Sequence, residues 1–300
     1  MAGRAAAGGE ASGYGRSPRA KRGGGPGSRF QSALSYAVLT ALGLIVLFPF
    51  YWMTVTSFKG EEQMRSLFSM FWPSPFILEN YQQLLRKTEF ISWYGNSVIV
   101  SVASTILATA VGTVGAYALA RLKFLGRGFM ASATLITYLV PPSILFIPLY
   151  AQIKTLGLAN SLSGLILSYP SFTVPFVTWL LMGYFESIPE ELEEAAMIDG
   201  ATRFGAFRRI ILPLAAPGVL AAALYAFTQA WNEFLYSLVF ITDARLRTLP
   251  VGLASFITGD VYGWGYLMAG AVLTTLPVIA AYMYLQKYMV EGLTAGSVKG

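Results

Sequence analysis

The sequence predicts an all-α integral membrane protein with six transmembrane helices. Its 300 residues are 55% hydrophobic and only 12% charged, whereas an ordinary soluble domain carries about 25% charged residues. Several apolar runs approach about 20 residues, the length at which a helix crosses the hydrocarbon core of a bilayer. Too little polar surface remains to cover a water-facing globule, so we expect the apolar surface to face lipid.

The composition also excludes several kinds of chemistry. The chain contains no cysteine and no histidine. Disulfides, thiolate nucleophiles, Cys/His zinc sites and histidine bases are therefore excluded, and we expect neither a catalytic nor a metal site. The sequence also lacks a GxxxxGK[ST] phosphate-binding loop, so another chain must bind the nucleotide if the protein uses ATP.

The N-terminal tail, residues 1–32, is rich in Gly, Ala and Ser and carries six lysine and arginine residues. Such a composition cannot bury enough apolar surface to offset the entropy of ordering, so the tail is predicted to be disordered. The apolar run that follows is too long for the core of a signal peptide and has no obvious small-residue cleavage site. We therefore expect this run to be retained in the protein.

Six apolar segments of 20 to 28 residues follow the tail. They are residues 35–57, 97–120, 129–150, 162–184, 214–241 and 266–285. The third contains Pro141, Pro142 and Pro148, and the fourth contains Pro170 and Pro175. Because prolines free backbone carbonyls that lipid cannot satisfy, we expect these two helices to be kinked, and buried or lining a wet cavity.

Small residues recur at every fourth position of the second span. They are Ser104, Ala108, Gly112, Ala116 and Ala120. This spacing allows another helix to approach closely. We expect packing within the subunit, with packing against a partner subunit as the alternative.

The distribution of lysine and arginine predicts the orientation. Placing the N terminus in the cytoplasm puts two thirds of these residues on the inner side, six of them in the tail, as the positive-inside rule favours. The C terminus and the segment 186–213 between the fourth and fifth spans are then cytoplasmic. The loop between the first two spans lies outside, where its aromatic residues and balanced charges predict short interfacial helices.

The segment 186–213 is charged and amphipathic, although apolar spans flank it on both sides. Ser187 and Glu190 fit a capping box at the start of a helix. Four glutamates crowd the first turn, where the positive end of the helix dipole favours negative charge. They are Glu190, Glu191, Glu193 and Glu194.

A second helix is predicted after Gly200, which can adopt a left-handed turn without steric cost. Before this turn, helical spacing places four residues on one face with a small, smooth centre. They are Leu192, Ala195, Ala196 and Asp199. After the turn, an apolar face is predicted to contain Phe204, Phe207, Ile210 and Ile211.

This helix–turn–helix has two interpretations. An amphipathic linker could lie among the lipid headgroups, but such a linker favours lysine and arginine on its polar face. The first helix here carries five acids and no basic residue, and anionic lipid repels acids. We therefore expect the segment to bind another protein.

The same segment carries a spaced motif, EAA---G---------I-LP. It consists of Glu194, Ala195, Ala196, Gly200, Ile210, Leu212 and Pro213. This motif resembles the signature of permease subunits of bacterial ATP-binding-cassette importers. The stretches AAMIDGAT, WNEFL, LPVGL and GLTAGSVKG resemble the carbohydrate branch of that family, and the last resembles a second, maltose-type permease of a heterodimeric pair. The likeness covers about residues 33–300.

The resemblance implies roles for these residues. The helix before Gly200 would be a coupling helix in a groove of a cytoplasmic ATPase, with Glu194 as polar anchor and Ala195 and Ala196 in close contact. Asp199, Ile210, Leu212 and Pro213 would complete the coupling site. A C-terminal tail, residues 291–300, would follow the permease domain, residues 33–290, and insert between other chains as an extended strand. The inserted residues would be Gly292, Leu293, Thr294, Ala295 and Gly296; a frayed terminus is the alternative.

The resemblance also implies an assembly in the bacterial plasma membrane. Its members would be this chain, a second permease, two ATPase subunits that bind ATP and Mg²⁺, and an extracytoplasmic solute-binding protein. The substrate would be a disaccharide, an oligosaccharide or a related polyol. This chain would contact membrane lipid, bind no cofactor itself and bind no nucleic acid.

Glu233 is the only acidic residue within the six predicted spans. A carboxylate at membrane depth is costly unless it is paired, protonated or hydrated, so it indicates a function. A structural hydrogen bond to a kinked neighbour is the alternative. The residues that could line a translocation path are Tyr138, Ser143, Tyr169, Gln229, Asn232 and Glu233.

Two other functions were considered. A proton-coupled secondary carrier or channel could use Glu233 as a relay, but such carriers usually show internal repeats across many spans. An intramembrane enzyme would need a nucleophile with a base, or a metal site. With no histidine or cysteine and one acid in the membrane, the sequence disfavours this class.

Overall fold

The computed structural model describes residues 26–65, 71–258 and 261–296, and the side chains of residues 31–65, 71–257 and 263–286. The chain forms two compact units, Met1–Pro49 and Phe50–Gly300. Residues 1–32 are predicted to form a disordered tail, and residues 1–25 of it lie outside the described part of the chain. The last residues of the tail, 26–32, are helical, so the first helix begins earlier than predicted.

The described chain is helical almost throughout, as predicted. The α-helices are α1 Pro26–Ser57, α2 Glu61–Arg65, α3 Glu79–Lys87, α4 Phe90–Arg121, α5 Arg127–Leu139, α6 Pro142–Thr155, α7 Leu162–Ser168, α8 Pro170–Ser187, α9 Glu191–Ile198, α10 Arg203–Ala206, α11 Leu212–Leu214, α12 Ala216–Trp231, α13 Leu235–Phe240, α14 Leu249–Ala254 and α15 Trp264–Gly296. A π-helical turn, Phe207–Ile211, joins α10 to α11. A 3-10 turn, Ala244–Leu246, precedes α14.

One small hairpin departs from the all-α prediction. The strands β1 (Ile257–Thr258) and β2 (Val261–Tyr262) pair antiparallel just before α15. Each strand is two residues long, so the hairpin forms a turn at the entrance to the last helix and adds no sheet layer.

Four described helices are long and apolar enough to cross a membrane: Gln31–Ser57, Phe90–Arg121, Leu162–Ser187 and Trp264–Gln286. The number rises to six if each of two bent pairs is one span. These pairs are α5 with α6, bent by 100°, and Arg203–Leu214 with α12, bent by 75°. The chain is therefore a multi-pass membrane protein with four to six membrane helices.

Helix α4 forms the centre of the larger unit. It packs most extensively against α8 and α12 and contributes residues to three hydrophobic clusters. Its small residues Ser104, Ala108, Gly112, Ala116 and Ala120 are all buried within this subunit. A Cβ added to Gly112 would lie 2.5 Å from Cγ1 of Val177 on α8, so only glycine permits this approach. The prediction that the small residues pack within the subunit is confirmed.

The prolines of the third and fourth predicted spans act differently. Between α5 and α6 the chain bends sharply, because Pro142 lacks the backbone N–H needed to continue the helix. Pro148 lies inside α6 without ending it. In the fourth span, Pro170 occupies the first turn of α8 and Pro175 lies inside this helix. The break predicted in the fourth span is present at Pro170, since α7 ends at Ser168 and α8 begins at Pro170, although Leu162–Ser187 still counts as one candidate membrane helix. The prediction is wrong for Pro175, which does not interrupt α8.

The N-terminal end of α4 begins seven residues earlier than predicted from hydropathy, at Phe90. Polar side chains in its first turns bind the loop before α14. Trp93 donates from Nε1 to the Ala244 carbonyl at 2.7 Å, and Asn96 donates from Nδ2 to the Arg245 carbonyl at 2.7 Å. The short helices predicted between the first two spans are present as α2 and α3, while residues 66–70 lie outside the described part.

The last helix, α15, continues to Gly296. Residues 292–296 are therefore helical, where an extended strand was predicted, because each residue added to an existing helix gains a hydrogen bond. The side chains beyond residue 286 and the whole of residues 297–300 lie outside the described part. The predicted contact of this tail with an ATPase stays a prediction.

Candidate functional site

The segment 186–213 forms a helix–turn–helix between α8 and α12. Helix α9 is followed by Gly200, whose φ is +89° and whose N–H donates to the Met197 carbonyl at 3.1 Å. Thr202 then caps α10, since its Oγ1 accepts from the Gly205 N–H at 3.1 Å. The left-handed turn predicted at Gly200 is confirmed. Any other L-residue there would be strained by this backbone angle.

The capping box predicted for the first helix does not form. Helix α9 begins only at Glu191, and Glu190 occupies the N-cap position. The side chain of Glu190 accepts no hydrogen bond from a backbone N–H of the helix. Ser187 belongs instead to the last turn of α8, where its Oγ donates to the Tyr184 carbonyl at 2.7 Å. The extended backbone at Ile188 separates the serine from the helix that it was predicted to cap.

A cluster of charges, buried at Arg121 and Glu193, joins α9 to the end of α4. The Arg121 side chain is only 4% exposed, and its Nη2 donates to the Ile188 carbonyl. Its Nη1 lies 3.5 Å from Oε1 of Glu190, and its Nε lies 3.9 Å from Oε2 of Glu193. Oε1 of Glu193 accepts a hydrogen bond from the Tyr117 hydroxyl. Tyr117, Arg121, Glu190 and Glu193 are termed the α9 anchor below.

Burial distinguishes Glu193 from the other acids of α9. Glu193 is 6% exposed, whereas Glu191 and Glu194 are exposed. Buried charges persist only where they are paired and hydrogen bonded, and Glu193 has both kinds of partner. This role is not predicted from the sequence, where all four acids are assigned to the helix dipole. The available signal was the three-residue spacing of Glu193 and Ala196, which places them on one helix face.

Ala196 lies on the inward face with Glu193 and is 8% exposed, whereas Ala195 is exposed. The prediction that Ala195 and Ala196 share one contact surface is therefore wrong for this subunit. Successive residues of an α-helix point about 100° apart, so the two alanines face different directions. Only Ala195 is available to another protein.

The outward face of α9 carries both acidic and apolar side chains. Glu194, Ala195 and Asp199 are exposed, and Ile198 is 85% exposed. Beyond the turn, Phe204 is also largely exposed. Large apolar side chains that are exposed beside acidic ones are typical of a protein-binding surface.

A cavity of about 200 Å³ lies beside the α9 anchor, between α9, the start of α10 and the end of α4. It contains acidic and basic side chains in equal number. The residues that line it are Arg121, Lys123, Glu190, Glu193, Glu194, Met197 and Arg203.

The second half of the segment enters the apolar core. Phe207 and Ile211 are buried, and the Phe207 ring lies 4.4 Å from that of Tyr117. Ile210 and Leu212 pack at the edge of the same cluster, while Pro213 is exposed in α11. Phe204 is predicted to lie on this apolar face but lies outside it. The π-helical turn begins after Phe204 and brings Phe207 and Ile211 inward.

Glu233 lies in a break between α12 and α13, and this corrects its predicted position inside one continuous span, 214–241. Its carboxylate accepts from the backbone N–H groups of Tyr236 at 2.7 Å and Ser237 at 3.1 Å. It also accepts from the hydroxyl of buried Tyr169 at 2.8 Å. Helix α12 ends here because the carboxylate satisfies the free N–H groups of the next helix. The geometry matches the structural alternative and joins Tyr169 to Glu233.

Of the other predicted path residues, two lie close together and two lie apart. Gln229 donates from Nε2 to the Tyr225 hydroxyl at 3.2 Å, and Tyr225 interacts with Tyr138. Asn232 is exposed and donates to the Thr228 carbonyl at 2.8 Å. Ser143 is exposed in the first turn of α6. Tyr138 and Gln229 are therefore brought together, with Tyr225 between them.

Comparisons with known proteins agree with this architecture. Residues 108–294 match the family model "Binding-protein-dependent transport system inner membrane component". The inner membrane ABC transporter permease protein YcjP of Escherichia coli is 38% identical, over 88% of this chain and 95% of the relative. The trehalose/maltose transport system permease protein MalG of Thermococcus litoralis is 38% identical, over 86% of this chain and 94% of the relative.

Two further similarities support the match. The diacetylchitobiose uptake system permease protein DasC of Streptomyces coelicolor is 37% identical over 88% of this chain and 95% of the relative. The crystal structure of a bacterial ABC transporter that imports the acidic polysaccharide alginate shares the fold. Its TM-score is 0.74 at 22% identity, over 88% of this chain and 98% of that one. The chain therefore belongs to the family of inner membrane components of binding-protein-dependent transport systems.

Proposed function

We propose that this chain is the permease subunit of an ATP-driven carbohydrate importer in the bacterial plasma membrane. It forms half of the translocation pathway and pairs with a second permease. Two ATPase subunits bind ATP and Mg²⁺, and an extracytoplasmic solute-binding protein delivers the sugar. Relatives named for trehalose, maltose and diacetylchitobiose support a disaccharide or a short oligosaccharide as substrate.

The orientation and domain division complete the proposal. Six spans lie within residues 33–290, with both termini in the cytoplasm. The basic tail, residues 1–32, and the C-terminal tail, residues 291–300, both lie on the ATPase side. The residues that contact the ATPase are Glu194, Ala195, Asp199 and Ile198 on α9, with Gly292, Leu293, Thr294, Ala295 and Gly296 in the tail.

One observation carries the coupling role of α9. The helix is fixed to the end of α4 by the α9 anchor, whose Arg121 and Glu193 are buried, while its other face exposes Ala195 and Ile198. A helix that transmits movement between two proteins needs both an exposed face and a firm attachment, because it must bind one protein and be rigidly connected to the other. Gly200 sets the angle at which the chain returns to the membrane.

Movement of α9 has two routes into the membrane helices. One passes through Tyr117 and Arg121 into α4, which packs against α8 and α12. The other passes through the π-helical turn Phe207–Ile211, whose buried side chains contact the cluster around Tyr117 and Phe185. Both routes end on the same helices, so a displacement of α9 reorients the spans as a body.

The proposal is tested by reconstituting the chain with its second permease, ATPase and binding protein in proteoliposomes and measuring uptake of radiolabelled maltose and trehalose. We expect uptake that requires ATP and the binding protein, and no uptake with a proton gradient alone. The variant Glu233→Gln should retain ATP-driven uptake, because its amide oxygen can still accept from the Tyr236 N–H that now donates to Oε1 and no proton relay is needed. Proton-driven uptake by the chain alone, abolished in Glu233→Gln, would identify a secondary carrier instead.

A further inference from the structure

A group of partly exposed aromatic side chains lies where α5, α8 and α12 meet. Phe176 on α8 is at its centre, with ring centroids 5.1 Å from Tyr138 of α5, 3.9 Å from Tyr225 of α12 and 5.9 Å from Trp179. Gln229, one turn beyond Tyr225, donates to the Tyr225 hydroxyl at 3.2 Å. These five residues are termed the aromatic face.

The aromatic face lies near the middle of the candidate membrane helices. Tyr225 is roughly 14 Å along α12 from its first residue, given a rise of 1.5 Å per residue. Tyr138 is at the end of α5, just before the chain bends by 100° into α6. Trp179, Tyr138 and Gln229 are nevertheless exposed. Polar groups and irregular backbone at this depth are tolerated where they line a wet cavity rather than lipid.

A groove of about 270 Å³ lies between two of the same helices, α5 and α8. Thr137 precedes Tyr138 in the chain, and Pro175 and Thr178 precede Phe176 and Trp179. The groove is lined by Met130, Ala133, Thr134, Thr137, Val174, Pro175 and Thr178. None of the side chains in the groove or in the aromatic face carries a charge.

This combination of groups favours a neutral sugar. Aromatic rings supply flat apolar surfaces for the C–H faces of a pyranose, while phenol hydroxyls and an amide hydrogen bond to its hydroxyl groups. A sugar carboxylate placed here would find no Lys or Arg among the lining side chains, and these are the side chains that recognise carboxylates. Close packing against a second helix is disfavoured, since such interfaces use small residues, whereas the rings of Tyr138 and Trp179 are large and exposed.

We propose that the aromatic face is a subsite for an uncharged pyranose ring on the translocation path, contributed by this subunit itself. The inference rests on the importer function proposed above. It adds the residues that contact the sugar and excludes acidic sugars from this subsite.

The test uses the assembled transporter with cysteine-free partner chains, since this chain contains no cysteine of its own. A single cysteine, Gln229→Cys, is labelled with a maleimide with and without maltose, trehalose or an alginate disaccharide. The matched control is Tyr282→Cys, an exposed position of α15. We expect the neutral sugar that the wild type transports to slow labelling of Gln229→Cys at least fivefold, with no effect of the acidic disaccharide and none at Tyr282→Cys.

Uptake kinetics give a second measurement. Tyr225→Phe and Trp179→Leu should raise the KM for the transported sugar roughly tenfold, as loss of one good contact of about 1.4 kcal/mol implies, while Tyr282→Phe should leave KM unchanged. Normal KM values and unprotected labelling in a transporter that imports sugar would overturn the subsite and leave the importer function intact. Absence of ATP-driven uptake in the wild type would instead overturn the importer function, and the subsite with it.

Discussion

Replacing Glu193 with alanine should lower the apparent melting temperature of the purified transporter by roughly 5 °C or more and abolish sugar-stimulated ATP hydrolysis. The substitution leaves Arg121 buried without its neighbouring carboxylate and leaves the Tyr117 hydroxyl without its acceptor. Removing one partner of a buried ion pair costs about 3–5 kcal/mol, and each kcal/mol shifts the melting temperature by about 2–4 °C in a domain of comparable size. The measurements are thermal unfolding and ATP hydrolysis with and without sugar.

Glu191→Ala is the matched control, because it removes an exposed acid from the same helix. It should leave the melting temperature unchanged. Glu193→Gln should give an intermediate loss, since the amide oxygen still accepts from Tyr117 while the charge beside Arg121 is gone. Equal melting temperatures for Glu193→Ala and Glu191→Ala would show that the α9 anchor contributes nothing to stability or coupling.

Replacing Ile198 with alanine should weaken binding of the ATPase roughly tenfold or more without destabilising the permease. Ile198 is 85% exposed at the end of α9, so within this subunit its side chain has little packing to lose. Burying an isoleucine side chain at an interface contributes about 1.5–3 kcal/mol, which corresponds to roughly 10- to 100-fold in affinity. The affinity is measured by titrating the detergent-solubilised permease pair with purified ATPase.

The matched control is Leu125→Ala. Leu125 is fully exposed in the short loop between α4 and α5, on the side of the membrane predicted to be cytoplasmic. Its substitution should leave ATPase affinity unchanged. If Leu125→Ala and Ile198→Ala weakened binding equally, the apolar end of α9 would have no special role in docking.

The large features of the fold follow from the sequence because hydropathy and turn chemistry are local. The helical class, the bend beside Pro142 and the left-handed turn at Gly200 each depend on a few neighbouring residues. The small residues of α4 were also interpreted correctly, since their four-residue spacing requires a close neighbour. The break at Glu233 was missed, because its carboxylate satisfies N–H groups that belong to the following helix.

The anchoring of α9 could not be predicted from its own residues. Glu193 differs from Glu191 and Glu194 only because the end of α4 brings Tyr117 and Arg121 to it from more than seventy positions away. The same tertiary contact turns Ala196 inward and leaves Ala195 outside. The aromatic face likewise depends on three helices, so only Tyr138 and Gln229 could be proposed from the sequence.

The central claim is that α9 binds the ATPase through its outward face. We would introduce single cysteines at Ala195 and Ala196 in this cysteine-free chain, assemble each variant with cysteine-free partners and apply a short maleimide–amine cross-linker. The account predicts a covalent product between Ala195→Cys and the ATPase, and none from Ala196→Cys, which lies against this subunit's own chain. No ATPase product from Ala195→Cys, in a complex that still hydrolyses ATP in response to sugar, would contradict the account.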